Sequence, residues 1–298
     1  MKATLEGLAH KLGMAHELHA VVRTMKALSA SNLQQYEHAV KAMNTYTQNI
    51  RKGMMVCLQS LPISAIQNAG PGNTNVAIVF GSGQGLAGQF NDIICRDTAQ
   101  FLSTLQGDKE VWTVGPFLPS RLQDLGLAPA WQFEVPHAIE SITFLIQQIL
   151  TQVEKVMEAN PGTTFYLFSN QPVEGTAYHP VHTRFLPLDR TWLENIKSEN
   201  WPTRQRPEAL PDPLSMMRSL IREYLFVTIY RASAESLASE NISRLAAMER
   251  ADKNIDEILN SLTQEYHQLR QNSIDEEMFD VIAGAQSLPD RKKKSPPG

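Results

Sequence analysis

The residues of most chemical promise are Gly83-Gln-Gly-Leu-Ala-Gly88, a G-x-G-x-x-G run between an apolar segment and a helical pattern. That spacing suits a tight turn, close backbone approach to a pyrophosphate, and a helix N-terminus facing the anion. Read alone, Gly83, Gly85 and Gly88 would mark an NAD(P)-dependent oxidoreductase. The acid that should hold the ribose belongs at the end of the next strand, about 20 residues further on. Here Asp108 and Glu110 precede that strand, which closes on Gly115-Pro116. Gly81, Gly83, Gly85 and Gly88 are therefore expected to serve a sharp strand-to-helix turn, and no cofactor is expected.

Other constellations fall away for want of spacing. There is no G-x-x-x-x-G-K-[ST] phosphate loop and no G-x-S-x-G elbow. His16-Glu-Leu-His19 lacks metallohydrolase spacing, and His179-Pro-Val-His182 lies beside a proline-broken strand, so both read as surface or packed histidines. The two cysteines, Cys57 and Cys95, read as reduced, buried thiols. No catalytic residue and no metal site is expected.

The elements that would position any site dominate the chain. From Leu214 to Ala283 about 70 residues run without glycine or proline. Apolar positions there step by three and four: Met217, Leu220, Tyr224, Val227, Ala234, Ala238, Leu245, Met248, Ile255, Leu259, Leu262, Tyr266 and Leu269, with Arg231, Asn241 and Asp252 between. A heptad seam so long predicts a coiled-coil rod on the order of 100 Å, which needs a partner helix. Past Leu269 the apolar steps jump and restart as Ile274, Met278, Val281, Ala285 and Leu288. The last turns should therefore leave that partner and present an apolar tip for a protein contact.

The partner is expected at residues 1–62. An apolar stripe opens there with Leu5, Leu8, Leu12 and Ala15 and continues as Leu18, Val21, Met25 and Leu28. After a slip at Ser29-Ala-Ser-Asn32 it resumes as Leu33, Tyr36, Val40, Met43, Thr47, Ile50, Met54, Cys57 and Leu61. Residues 1–60 carry seven Lys/Arg against three Asp/Glu, whereas residues 214–288 carry seven against twelve. Opposite signs suit antiparallel pairing, although exposed ion pairs contribute little.

Between the helices, residues 75–192 alternate apolar strands with helical stretches, which predicts a mainly parallel sheet. Strands are expected at Val76–Phe80, Val111–Val114, Trp131–Val135, Thr164–Phe168 and Val181–Leu186, with helices at Asp92–Leu105, Pro119–Leu125 and Ile139–Ala159. Residues 68–74 read as a loop, 193–213 as an irregular return, 214–288 as the second long helix and 289–298 as a disordered tail. The expected fold is a long antiparallel coiled coil of the N- and C-terminal helices with a central Rossmann-like α/β domain. A net charge of −4 argues against nucleic-acid binding, and no apolar run is long enough for membrane insertion.

Three stretches carry a resemblance. Val22-Arg-Thr-Met-Lys-Ala-Leu-Ser-Ala-Ser31 is similar to ITKAMxMVAASK, and Gly85-Leu-Ala-Gly-Gln-Phe-Asn91 to GLCGGxN. The segments Leu237–Glu240, Arg244–Asn254, Arg270–Glu277 and Ile282–Ala285 together resemble LASExxARMxAMxxATDNA…YNxxRQxxITxEIxEIVxGA. These are motifs of the gamma subunit of F-type ATP synthases, a rotor shaft. Ala87 stands for that family's Cys and Gln89 for its Gly, which should make the turn at Gly85, Gly88 and Asn91 less permissive. Asp275 stands for its usual Thr. The departures and the Arg/Lys tail resemble the alternate, N-type branch, some members of which move sodium.

The resemblance implies a non-catalytic central-stalk subunit. It would couple ion-driven rotation of a membrane c ring to ATP synthesis or hydrolysis at beta subunits. Its partners would be the alpha and beta subunits of the catalytic hexamer, the epsilon subunit and the c-subunit ring, at the cytoplasmic face of a bacterial or archaeal membrane. By position, Arg23, Met25, Lys26, Arg244, Arg270, Gln271, Asp275 and Glu277 would contact alpha and beta subunits. Ile274, Met278 and Ile282 would form the tip; Trp201, Arg204 and Arg206 would belong to the foot. A dehydrogenase reading explains only the glycine run, and a coiled-coil adaptor with a globular head leaves the C-terminal match unexplained.

Overall fold

The computed structural model describes residues 4–66, 72–173, 177–201, 203–205 and 207–286. The expected tail, Arg206, and most of the loop at 68–74 lie outside the described residues. Two long helices, α1 (Leu5–Ser60) and α6 (Pro213–Gln286), contribute to both of the compact units into which the chain divides. The larger is Lys26–Ala247; the smaller joins Met1–Met25 to Met248–Gly298.

The larger unit holds a five-stranded sheet of β1 (Thr74–Phe80), β2 (Asp108–Val114), β3 (Pro129–Phe133), β4 (Thr164–Pro172) and β5 (Tyr178–Leu186) in the order β3-β2-β1-β4-β5. The first four run parallel and β5 runs antiparallel to β4. Val76-Ala-Ile-Val-Phe80 is buried on both faces, which is why it reads as an unbroken apolar run. Helices α2 (Phe90–Thr104) and α3 (Pro119–Asp124) cover one face through Ile94, Leu102, Leu118 and Leu122 against Ala77 and Val79. Helix α4 (Ile142–Ala159), with α1 and α6, covers the other through Ile142, Ile149, Tyr36, Ile229 and Ala234 against Ile78, Phe80 and Trp112.

Several expected boundaries move. Strand β3 begins at Pro129, two residues before Trp131. Strand β5 begins at Tyr178 rather than Val181, and its Pro180, which lacks an N–H, is tolerated because β5 is an edge strand. A helix, α5 (Arg190–Ser198), stands where the irregular return was expected to begin. Asp189 caps it by accepting the Thr191 N–H at 3.3 Å, and Leu193 and Ile196 bury against a cluster that includes Met54, Leu58 and Met217. Helix α6 starts at the dipeptide Asp212-Pro213. The Asp212 carboxylate accepts the N–H groups of Leu214 and Ser215 at 2.9 and 3.0 Å, and proline at the first helical position has no N–H to leave unpaired.

Within each unit the two long helices run antiparallel. In the larger, Tyr46 donates to Glu223 while Gly53, further along α1, sits against Leu220, further back along α6. In the smaller, His19 lies 3.3 Å from Asp256 and Arg23 3.6 Å from Asp252. The α6 seam is the expected one: Met217, Val227, Ala234, Ala238 and Asn241 are buried in one unit, and Met248, Ile255 and Leu259 in the other.

The α1 seam is not. Burial follows Leu5, Leu8, Leu12, Ala15, His19, Val22, Lys26, Ser29, Leu33, Tyr36, Val40, Met43, Thr47 and Ile50, an unbroken heptad without a slip. Leu18 and Val21 are each 54% exposed. A register shift would disturb every pair beyond it, whereas a polar seam residue needs only a local partner. His19 has one: its Nε2 lies 2.9 Å from the Asp252 carboxylate.

Candidate functional site

In a sheet of this order, ligands bind beyond the carboxyl ends of the strands, where the winding reverses between β1 and β4. Here that crevice is filled by α6. Every residue from Ala232 to Arg244 is buried, and the small side chains Ala232, Ser233, Ala234, Ser236, Ala238, Ser239 and Ser243 let the helix lie close to the strand ends.

The glycine turn closes around this helix. Glu240 accepts the main-chain N–H of Gly83 at 3.2 Å and of Gln84 at 3.3 Å. Those are the donors that would otherwise cradle an anion. Arg244, one helical turn on, donates to the same carboxylate at 2.5 Å, to the Gln84 carbonyl at 3.2 Å and to the Gly85 carbonyl at 3.4 Å. Ser243 donates to the Ala87 carbonyl at 2.6 Å, and Ser239 to the Asn170 carbonyl at 3.0 Å. Asn91 accepts the Ser82 N–H at 2.9 Å and donates to the Ser82 hydroxyl at 2.8 Å, which fixes the turn to the start of α2. The position a dinucleotide phosphate would take is held by the chain's own ion pair, so the oxidoreductase reading fails on geometry as well as on the missing acid.

The turn also corrects the reading of its substitutions. Gln89 has an ordinary φ of −88°, and Ala87 is buried without strain. The left-handed positions are Gly88, at φ 56°, and Leu86, at φ 61°. Neither Ala87 nor Gln89 therefore makes the turn less permissive.

The other candidate residues divide by exposure. Arg244 was expected to contact alpha and beta subunits; its side chain is 7% exposed, and its Nε and Nη2 donate inside the domain. Arg23 is 64% exposed, at the edge of the His19–Asp252 pair, and Met25 and Lys26 are half-buried. Arg270, Gln271, Asp275 and Glu277 are exposed on α6, as are Ile274, Met278, Phe279, Val281 and Ile282. The pairing of His19 with Asp256 and Arg23 with Asp252 puts Leu5 opposite about Arg270, so the rest of α6 has no described residue of α1 beside it. Trp201 is half-buried in the cluster around Leu193 and donates to Thr203 at 2.9 Å, while Arg204 is exposed.

Two features escaped the sequence reading. Glu240 and Ser243 looked like ordinary helix residues because their partners stand about 156 residues earlier in the chain. Met14, Leu18, Val21 and Leu28 of α1 are exposed rather than seamed. The thiols are where they were expected: both are buried, and burial pushes Cys95 up to about 12, with the Arg121 guanidinium pulling the other way. Among the described residues no group of three or more His, Cys, Asp or Glu side chains is placed to hold a metal ion, and no helix is long and apolar enough to cross a membrane.

The arrangement defines a class: a doubly wound α/β domain whose ligand crevice is closed by one of two long antiparallel helices. The chain belongs to the ATP synthase family, whose sequence model matches residues 4–288. Among its curated relatives, the ATP synthase gamma chain of Bartonella bacilliformis is 24% identical over 96% of this chain and 100% of the relative. That of Rubrobacter xylanophilus is 26% identical over 96% and 99%. The fold is similar to a rotor chain of the Euglena gracilis mitochondrial ATP synthase, with TM-score 0.56, 15% identity, and coverage of 91% of this chain and 98% of that one. A chain of the Tetrahymena thermophila mitochondrial ATP synthase central stalk and c ring gives 0.54 at 19% identity, covering 78% and 99%.

Proposed function

We propose that the chain is the central-stalk, gamma-type subunit of a rotary ATP synthase, carrying torque between a membrane c ring and the catalytic alpha–beta hexamer. The observation that carries this reading is the end of α6, where Ile274, Met278, Val281 and Ile282 lie exposed among Arg270, Gln271, Asp275 and Glu277. An exposed apolar stripe of that kind calls for a covering protein. The hexamer is the partner that the gamma-chain relatives suggest.

In this reading the chain has no catalytic residue of its own. Ile274, Met278 and Ile282 seat the tip, Arg270, Gln271, Asp275 and Glu277 engage alpha and beta subunits, and Arg23, Met25 and Lys26 add a second contact. Arg244 is assigned a different task, that of holding the α/β domain on α6. The domain of residues 75–192, with Trp201, Arg204 and Arg206, is the foot that meets the epsilon subunit and c ring at the cytoplasmic face of the membrane. The test is reconstitution. Full chain added to cognate alpha and beta subunits should form a stable complex and raise ATP hydrolysis; an unchanged rate with no co-purification would sink the reading.

A further inference from the structure

Strand β3 is the outer strand of the sheet, with β2 on one side only. The carbonyls of Trp131 and Phe133 face β2, since they accept from the Thr113 hydroxyl and the Gly115 N–H. Main-chain groups alternate along a strand, so the N–H and carbonyl of Gln132 point outward from the sheet.

Beside that edge lies an open cavity of about 600 Å³, lined by β3, the turn after it and α4. Trp131 is 46% and Phe144 62% exposed, and both line it. Native edge strands are usually blunted by charge, and two bare aromatic rings beside an open edge do the reverse. The chain leaves β3 and must return to enter β4, which is parallel to it, so α4 runs antiparallel to β3. Phe144, Gln148, Thr151 and Lys155 all line the cavity and, at intervals of four, three and four, share one face of α4. That wall is on the order of 16 Å long, about the length of five extended residues. Lys155 stands at the Pro129 end of the groove and Glu134 at the other.

We propose that this groove docks an extended peptide segment of a partner protein as a sixth strand antiparallel to β3. Its main chain bonds Gln132, and one apolar side chain enters between Trp131 and Phe144. Running antiparallel, its N-terminal end carries a basic residue toward Glu134 and its C-terminal end an acidic one toward Lys155. The outward N–H and carbonyl of Gln132, beyond the register shift near Pro129, form one main-chain pair that an added strand can match, with specificity from alternate side chains. The assignment does not rest on the rotor reading and survives or fails separately from it.

The probe is an acetylated peptide alternating threonine and valine, with lysine at its N-terminal and aspartate at its C-terminal end, added to the isotopically labelled full chain. Saturable shifts of the Gln132 amide and quenching of Trp131 are expected, weakening about tenfold in Trp131→Ala and in Phe144→Ala. Both side chains are exposed, so both variants should keep wild-type helicity. N-methylating the peptide at the residue opposite Gln132 should abolish binding, and exchanging the terminal lysine and aspartate should weaken it. No saturable binding, or equal binding of the N-methylated peptide, overturns the proposal. So does concentration-dependent self-association lost in Trp131→Ala, which would make a second copy of this chain the occupant.

Discussion

Glu240 accepts the main-chain N–H of Gly83 at 3.2 Å, so the anion position of a dinucleotide turn is held by a carboxylate from a helix more than 150 residues away in sequence. The same carboxylate neutralises Arg244. Glu240→Ala would strand a buried guanidinium and two main-chain N–H groups together. Breaking one partner of a buried pair costs about 3–5 kcal/mol. Urea unfolding should show a loss of that order for Glu240→Ala and a smaller one for Glu240→Gln, which keeps an acceptor. Equal, small losses would mean that the crevice is open to water.

The unbroken α1 heptad separates neighbours one residue apart. Val22 lies buried in the seam, whereas Val21 is exposed. Val22→Ala should cost about 1–2 kcal/mol through lost burial. Val21→Ala and Leu18→Gln should each fall within about 0.5 kcal/mol of wild type. Thermal unfolding followed by circular dichroism would decide it, and the reverse ranking would restore the slipped register.

How much of this was legible depends on where each residue's partner lies. The α6 seam could be read because its burial is repeated along one helix, and every expected position from Met217 to Leu269 is at least half-buried. The α1 seam was misread where apolar residues left it: Leu18 and Val21 drew the stripe outward, while His19, Lys26 and Ser29, which hold the register, carry no apolar signal. Helix α5 was hidden by the proline-rich stretch that follows it. The glycine turn could be found in sequence but not its occupant, because Glu240 is assigned only by the fold.

Buried thiols and phenols make the larger unit sensitive to alkali. Burial raises Cys95 from 9.0 to about 12 and also raises Cys57. Burial, then the charges of Glu240 and Glu140, raises Tyr36; burial raises Tyr224 as well. Above pH 9 the unfolded chain releases the Cys95 proton while the folded chain keeps it. That contribution to stability is therefore complete below about 9 and is lost progressively as pH climbs toward 12. For Cys95, protonated when folded and ionised when unfolded within that window, the slope is at most about 1.4 kcal/mol for each unit of pH. Urea midpoints should fall between pH 9 and 10.5, and Cys95→Ala should flatten part of that fall whatever its effect at pH 7. Neither thiol should react with an aromatic disulfide at pH 8 until the protein is unfolded.

At the far end of α6, Arg270 and Gln271 begin the exposed stretch that carries Ile274 and Met278. All four side chains are exposed, and Ile274 and Met278 lie past the start of α1, so their loss should leave the fold nearly untouched. Arg270→Ala with Gln271→Ala, and separately Ile274→Ser with Met278→Ser, should unfold within about 0.5 kcal/mol of wild type. In the reconstituted complex the first pair should lower ATP-driven ion pumping more than ATP hydrolysis, because a slack contact still lets the catalytic subunits turn over. The second pair removes the apolar seat and should weaken assembly itself, visible as loss of the chain on gel filtration at low concentration. If both pairs assembled and pumped like wild type, the partner-facing surface would lie elsewhere, and the exposed face of α1 at Met14, Leu18 and Val21 would be the next to replace.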